Sequence, residues 1–273
     1  MGHSTPEKLR GVIDMLRPRI IPCLLVKNGG LVKTVNFSSP KYVGDPINAV
    51  RIFNEKEVDE LIVVDIDATV HNREPDYAMI RNLAAECRMP LCYGGGVKTV
   101  EQIQKIISLG VEKVVLSSVA VSTPDLISDA ASRVGSQSVV VVMDVKKKGL
   151  VSSKYEVYTH NGTQSTGLNP MDFAKRVEVL GAGEVVVNSI DQDGLMKGYD
   201  LSLISQVRES ISLPLTVLGG AGSLKDIAAL VKTFGIIGAA AGSLFVFKGK
   251  YRAVLVNYPN RFEKDSLITQ VVS

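Results

Sequence analysis

Ser138–Lys146 reads SVVVVMDVK: four valines, a methionine, and then a carboxylate, Asp144, where the apolar run ends. A continuous β-branched run bounded by polar residues is the pattern of a strand buried on both faces, as in parallel sheets. Asp144 therefore stands at the C-terminal tip of that strand. The chain writes this stretch twice. Ile20–Val32 is IIPCLLVKNGGLV and Val139–Val151 is VVVVMDVKKKGLV, so Lys27 falls on Lys146, Gly30 on Gly149 and Leu31-Val32 on Leu150-Val151. Asp144 then falls on Leu25. Of two equivalent strand tips, one carries a carboxylate.

Working outward, short β-branched runs alternate with segments of helical period, the signature of βα units. Strands are expected at Ile20–Val26, Glu60–Ile66, Leu91–Gly94, Lys113–Ser118, Ser138–Val145, Glu184–Ile190, Leu215–Gly219 and Ile236–Gly242, eight in all. The repeat continues through them: Met89–Val121 lies on Leu213–Val246, and Val58–Val70 on Ala182–Gly194. Four βα units written twice predict one closed (β/α)₈ barrel of the TIM type rather than an open doubly wound sheet. The barrel is expected over 17–273, as half-barrels of about 17–135 and 136–258, with residues 1–16 a leader helix or an expression remnant.

The chain has 273 residues and a formal net charge of +3, with no long basic or acidic block, so neither nucleic acid nor an anionic membrane is an expected partner. Cys23, Cys87 and Cys92 lack CxxC spacing and read as reduced structural thiols of a cytoplasmic protein. The longest near-apolar window, Gly235–Phe247, is shorter than the ~20 residues a membrane span needs. Neither a cofactor nor a metal is expected.

In such a barrel the chemistry belongs at the C-terminal ends of the strands. Gly94-Gly95-Gly96 and Gly219-Gly220-Ala221-Gly222 end two strands related by the repeat, and each precedes a helical segment. Glycine lets backbone N–H groups approach an anion, and a helix N-terminus adds a favourable dipole. Ser117-Ser118 and Gly242-Ser243 end the neighbouring strands, giving one phosphate cradle per half-barrel and a ligand with two phosphates. A tight turn is the alternative reading of each cluster. Asp65, Asp67, Asp144, Asp191 and Asp193 also fall at or beyond strand ends. Asp67 and Asp191 read as capping aspartates, whereas Asp144, ending an apolar strand, is placed for proton transfer. At the opposite ends Arg19, Glu60, Lys113 and Glu184 each begin a strand and either close a charged ring or simply face solvent. Lys33, in the loop after the first strand, and Asn36-Phe37 are further polar candidates.

These residues are familiar. RIIPCLLVKNGGLVKTVNF, DELIVVDIDAT, YGGGV, VVVVMDVK, NSIDQDG…KGYD and GGAG resemble the cyclase subunit of imidazole glycerol phosphate synthase, from about Arg17 to about Phe247. The resemblance implies a class I glutaminase subunit as heterodimeric partner and ammonia entering at the barrel bottom. It implies a reaction at the top with a bisphosphorylated ribulosyl intermediate of histidine biosynthesis. It assigns Arg19, Glu60, Lys113 and Glu184 to the ammonia gate. Substrate and phosphate contacts fall to Lys33, Asn36, Gly95, Gly96, Ser117, Ser118, Asp193, Gly219, Gly220, Gly222, Gly242 and Ser243.

The family uses two aspartates as general acid and base. One matches Asp144; the other, in a CLDVKDG pattern, is Leu25 here, and the second aspartate of that pattern is Asn28. Leu218 stands where serine is usual and Asn188 where threonine is usual. Losing one positioned acid or base costs about 10²–10⁴ in rate. The expected protein is thus a barrel that docks on a glutaminase and conducts its ammonia with cyclase chemistry impaired. The acceptor would be a third enzyme, of the kind that makes acetamidino sugars for surface polysaccharides. The alternatives are a working cyclase of histidine biosynthesis and a non-enzymatic allosteric activator of the glutaminase.

Overall fold

The computed structural model describes residues 17–149 and 154–272. The expected leader at 1–16 and the Leu150-Val151 end of the repeat lie outside the described residues. All eight expected strands form. They are β1 (Arg19–Lys27), β2 (Leu61–Asp65), β3 (Leu91–Gly94), β4 (Lys113–Leu116), β5 (Val139–Lys147), β6 (Glu184–Ser189), β7 (Leu215–Leu218) and β8 (Gly238–Ala241). Each pairs in parallel with its neighbour, and β8 pairs with β1, which closes the (β/α)₈ barrel.

One principal helix follows each strand: α1 (Pro46–Glu55), α2 (Tyr77–Glu86), α3 (Val100–Ser108), α4 (Asp125–Val134), α5 (Pro170–Val179), α6 (Leu201–Ser210), α7 (Leu224–Phe234) and α8 (Arg261–Val272). Their starts are written locally. Asp45 caps α1 by accepting from Asn48 N, with Pro46 in the first turn, and Ser223 with Asp226 forms a capping box on α7. Apolar residues at helical spacing, such as Ile103 and Ile106 in α3 or Ile227, Leu230 and Val231 in α7, bury against the outside of the sheet.

The strands are apolar on both faces because both faces are covered. In β1, Ile20, Leu24 and Val26 join the large outer core, while Ile21 and Cys23 join a small inner cluster with Ile62, Cys92, Val115, Val140, Val186 and Ala240. Leu25, Val64, Val142 and Leu218 pack against that inner cluster. The barrel axis is therefore filled by apolar side chains and two thiols.

Two hairpins were not anticipated. β1 continues into an antiparallel pair, Gly30–Val35 with Ser38–Gly44, and β5 into Tyr155–Thr159 with Gln164–Ser165. Asn28 and Gly29, at φ 49° and 76°, form the two-residue turn after β1, which matches the Asn-Gly hairpin signal. Lys33, expected in a loop, consequently sits on a strand.

Candidate functional site

At the N-terminal mouth the four charged residues form a closed ring. Arg19 pairs with Glu60 and, through Nη2, with Glu184 Oε1 at 2.7 Å; Lys113 Nζ reaches Glu60 Oε1 at 2.8 Å and Glu184 Oε2 at 2.9 Å. Thr216 adds a hydroxyl donor to Glu184. Burial pulls the Glu184 carboxyl upward, but Arg19 and then Lys113 and Thr216 outweigh it and hold it at about 2. Burial opposes the charge on Lys113 as well, and Glu184 and Glu60 still raise it above the ordinary lysine range. The ring is thus two cations alternating with two anions across the barrel bottom.

At the other end lies a cavity of about 120 Å³ whose lining includes Leu25, Lys33, Gly95, Gly96, Ser117, Ser118, Asp144, Asp193 and Gly242. A smaller recess beside it is lined by Gly219, Gly220 and Ser243 together with Lys33 and Asp193. These strand-end residues therefore meet around one mouth.

Within the mouth, Asp144, Asn188 and Leu218 are register partners on three adjacent strands. Asn188 Nδ2 donates to Asp144 Oδ1 at 2.9 Å. Burial pushes the Asp144 carboxyl up to about 7; the Asn188 and Ser117 side chains oppose this, and the charge of Asp193 adds to it. Leu25, at the tip of β1, lines the same cavity and offers no second proton-transfer group.

Lys33 and Asp193 form a buried pair, Nζ to Oδ1 at 2.6 Å. Asp193 also accepts from Thr34 Oγ1 at 2.8 Å and from Phe37 N at 3.4 Å. This stitches the hairpin after β1 to the loop after β6. Asn36 completes the seam by donating to Ile190 O and Asp191 O. Asn36 lines neither cavity, and its side-chain amide positions the loop after β6.

Gly222 is likewise engaged within the protein. Its N–H donates to Asp226 Oδ2 at 2.9 Å, so it serves the cap of α7, and it lines neither cavity. Gly95 and Gly220 sit at nearly the same backbone angle, φ 115° and 114°. A Cβ on Gly95 would lie 2.3 Å from Asp65 O, and one on Gly220 would lie 2.0 Å from Gly198 O. Close passage of a neighbouring loop already requires glycine at both positions, with or without an anion.

The aspartates divide differently from the sequence reading. Asp65 is the capping residue, accepting from Asp67 N at 2.9 Å and Ala68 N at 3.1 Å. Asp191 holds a loop, as expected, by accepting from Lys147 N at 2.7 Å. Asp67, expected as a cap, instead turns its Oδ1 to Lys27 Nζ at 3.7 Å and is buried.

His160 and Asn161 were missed. They form the turn of the hairpin after β5 and line the cavity from above. His160 N donates to Ser118 Oγ at 3.3 Å, and Asn161 Nδ2 to Ile66 O at 2.9 Å. The His-Asn-Gly turn at 160–162 was the available signal, since all three residues adopt positive φ. Burial raises all three thiols, Cys23 to about 12 and Cys87 to about 11, so they stay protonated.

A closed barrel with a charged ring at one end and a glycine-rich mouth carrying carboxylates raised by burial, Asp144 most of all, defines a (β/α)₈ protein of the type that works on small metabolites at its C-terminal face. The chain belongs to the histidine biosynthesis protein family, which matches residues 19–252. A Leptospira interrogans protein provisionally named imidazole glycerol phosphate synthase subunit HisF is 56% identical over 253 residues, 93% of this chain and 99% of the relative. The Pseudomonas aeruginosa relative provisionally named subunit hisF2 is 51% identical over 246 residues, 90% and 97% of the two chains. The Alkaliphilus metalliredigens imidazole glycerol phosphate synthase subunit HisF is 41% identical over 231 residues, 85% and 91%. The chain is thus a HisF-like cyclase-type subunit. No helix among the described residues is long and apolar enough to cross a membrane.

Proposed function

We propose that this chain is the barrel subunit of a cytoplasmic glutamine amidotransferase complex, that it takes ammonia from a class I glutaminase at the Arg19–Glu60–Lys113–Glu184 ring, and that it conducts the ammonia up the barrel axis. The two half-barrels, about 17–135 and 136–258, each contribute one anion cradle at the mouth, so a phosphorylated small molecule is the ligand class there. Ordinary cyclisation is impaired. The observation that carries this reading is Leu25: it lines the cavity that holds Asp144, at the tip where an acid–base pair would need its second carboxylate.

An apolar axis supports the conduit, because neutral ammonia crosses apolar surroundings at far lower cost than an ion does. The acceptor is then a third enzyme, and an amidotransferase acting on sugars for surface polysaccharides is the candidate. The test is to pair the chain with a glutaminase and follow glutamine-derived nitrogen. Delivery at the mouth should be lost when Lys113→Met breaks the ring while glutamine hydrolysis continues. Unchanged delivery would contradict the conduit.

A second reading, a working cyclase of histidine biosynthesis, is favoured by the names of the relatives, which are those of imidazole glycerol phosphate synthase subunits. Rescue of a histidine auxotroph by this chain would establish it.

A further inference from the structure

We propose that Asp144, Asn188 and Ser117 form an ammonium-binding site at the upper end of the barrel axis, where ammonia is captured before transfer. This rests on the conduit reading above and gives its last station a chemistry.

Along the axis the inner cluster is apolar apart from the Cys23 and Cys92 thiols, and Leu25, Val64, Val142 and Leu218 extend it upward. Asp144 and Asn188 stand two residues beyond Val142 and Val186 on β5 and β6. A molecule rising through the barrel on that side meets these two polar side chains next.

Asn188 is only 7% exposed, and its Nδ2 is committed to Asp144. Its Oδ1 is buried and has no hydrogen-bond partner among the described residues. A buried acceptor left unpaired costs about 1–3 kcal/mol, so this site calls for a donor. Asp144 offers carboxylate oxygens to the same cavity, and Ser117 adds a hydroxyl to its lining. The titratable groups sharing the cavity are Cys23 from β1, Lys33 from the first hairpin, Asp65 at the end of β2, His160 from the second hairpin and Asp193 from the loop after β6. The one lysine among them, Lys33, is spent on Asp193. Beside Asn188 Oδ1 there remains the Asp144 carboxyl, with no unpaired lysine or arginine among the described residues of the cavity lining, walled by Leu25 and Leu218.

The ligand this selects is small, cationic and rich in N–H donors. Ammonia arriving neutral takes the proton of the Asp144 carboxylic acid: the O–H bond breaks, an N–H bond forms on the nitrogen lone pair, and ammonium is left paired with carboxylate. Returning the proton releases ammonia as a nucleophile. No oxidant or further reactant enters.

The test uses the full-length chain with ¹³C-labelled aspartate and follows Asp144 by NMR during titration with ammonium chloride or with potassium chloride at constant ionic strength. Ammonium should saturate and lower the Asp144 titration midpoint by about one pH unit, with potassium inert. Asn188→Leu should weaken ammonium about tenfold, one hydrogen bond's worth. No saturable ammonium response in the parent chain, or an equal response to potassium, would overturn the site without recourse to any variant. The glutamine-derived nitrogen experiment separates the two ideas: no ammonium binding with delivery intact removes this site alone, and loss of delivery in the parent complex removes the conduit.

Discussion

Asn188 Nδ2 donates a 2.9 Å hydrogen bond to Asp144 Oδ1, joining the register partners at the tips of β5 and β6. That bond stabilises the anion against the burial that lifts Asp144 to about 7. Asn188→Leu is therefore expected to raise the Asp144 midpoint further, read by carboxyl NMR; a fall would contradict the assignment of the bond.

The same carboxyl makes folding stability depend on pH. A folded-state value raised to about 7 from 3.8 means that the unfolded chain releases its proton first. Stability contributed by this group is full below about 4, declines as pH climbs to about 7, and is level above. Asp144→Asn should remove the decline, leaving the variant more stable than the parent at pH 8 by roughly 3–4 kcal/mol and similar to it at pH 4. Urea midpoints across pH check this.

The ring has the opposite sign. Glu184 is held at about 2 against the ordinary glutamate value of 4.5, so its contribution is present above the unfolded value and is lost as pH falls from about 4.5 toward 2. Glu184→Gln should flatten that acid limb. It should also lower stability at pH 7 by about 3–5 kcal/mol, the range for breaking a buried ion pair from one side.

Lys33→Met leaves the Asp193 carboxylate with Thr34 and Phe37 as its donors among the described residues. A loss of about 3–5 kcal/mol is expected. Amide exchange should quicken in Gly30–Val35 and Ser38–Gly44, because this pair moors that hairpin to the loop after β6. Global destabilisation with no local acceleration would contradict the mooring.

Leu25→Asp alone should recover little cyclisation, because Asn188 and Leu218 also differ from the residues usual at those positions. Leu25→Asp with Asn188→Thr and Leu218→Ser should gain about 10²–10⁴ over the parent, measured as ammonia-dependent turnover. Full recovery by the single change would place the whole deficit in Leu25.

The barrel was legible because each strand is a β-branched run apolar on both faces, and the charged ring because its members each begin a strand. The hairpins after β1 and β5 are less legible, although Asn28-Gly29 and His160-Asn161-Gly162 carry turn chemistry, because their outer strands, Ser38–Gly44 and Gln164–Ser165, are largely exposed and lack a buried apolar run. Asn36 and Gly222 match motif positions, yet the structure spends their hydrogen bonds on a loop and a helix cap. Sequence spacing does not reveal which partner a polar group will find. The Asn188–Asp144 bond depends on β5 pairing with β6 across 44 residues, and the Lys33–Asp193 pair, 160 residues apart, on barrel closure.

The most direct measurement is turnover of the bisphosphorylated ribulosyl substrate by the purified chain at high ammonium concentration, where no glutaminase is needed. An ammonia conduit with an impaired mouth predicts turnover about 10²–10⁴ below that of a cyclase carrying both aspartates, with substrate or an analogue still bound at the cradles. Turnover within about tenfold of such a cyclase would contradict the impairment and make the chain a working cyclase despite Leu25.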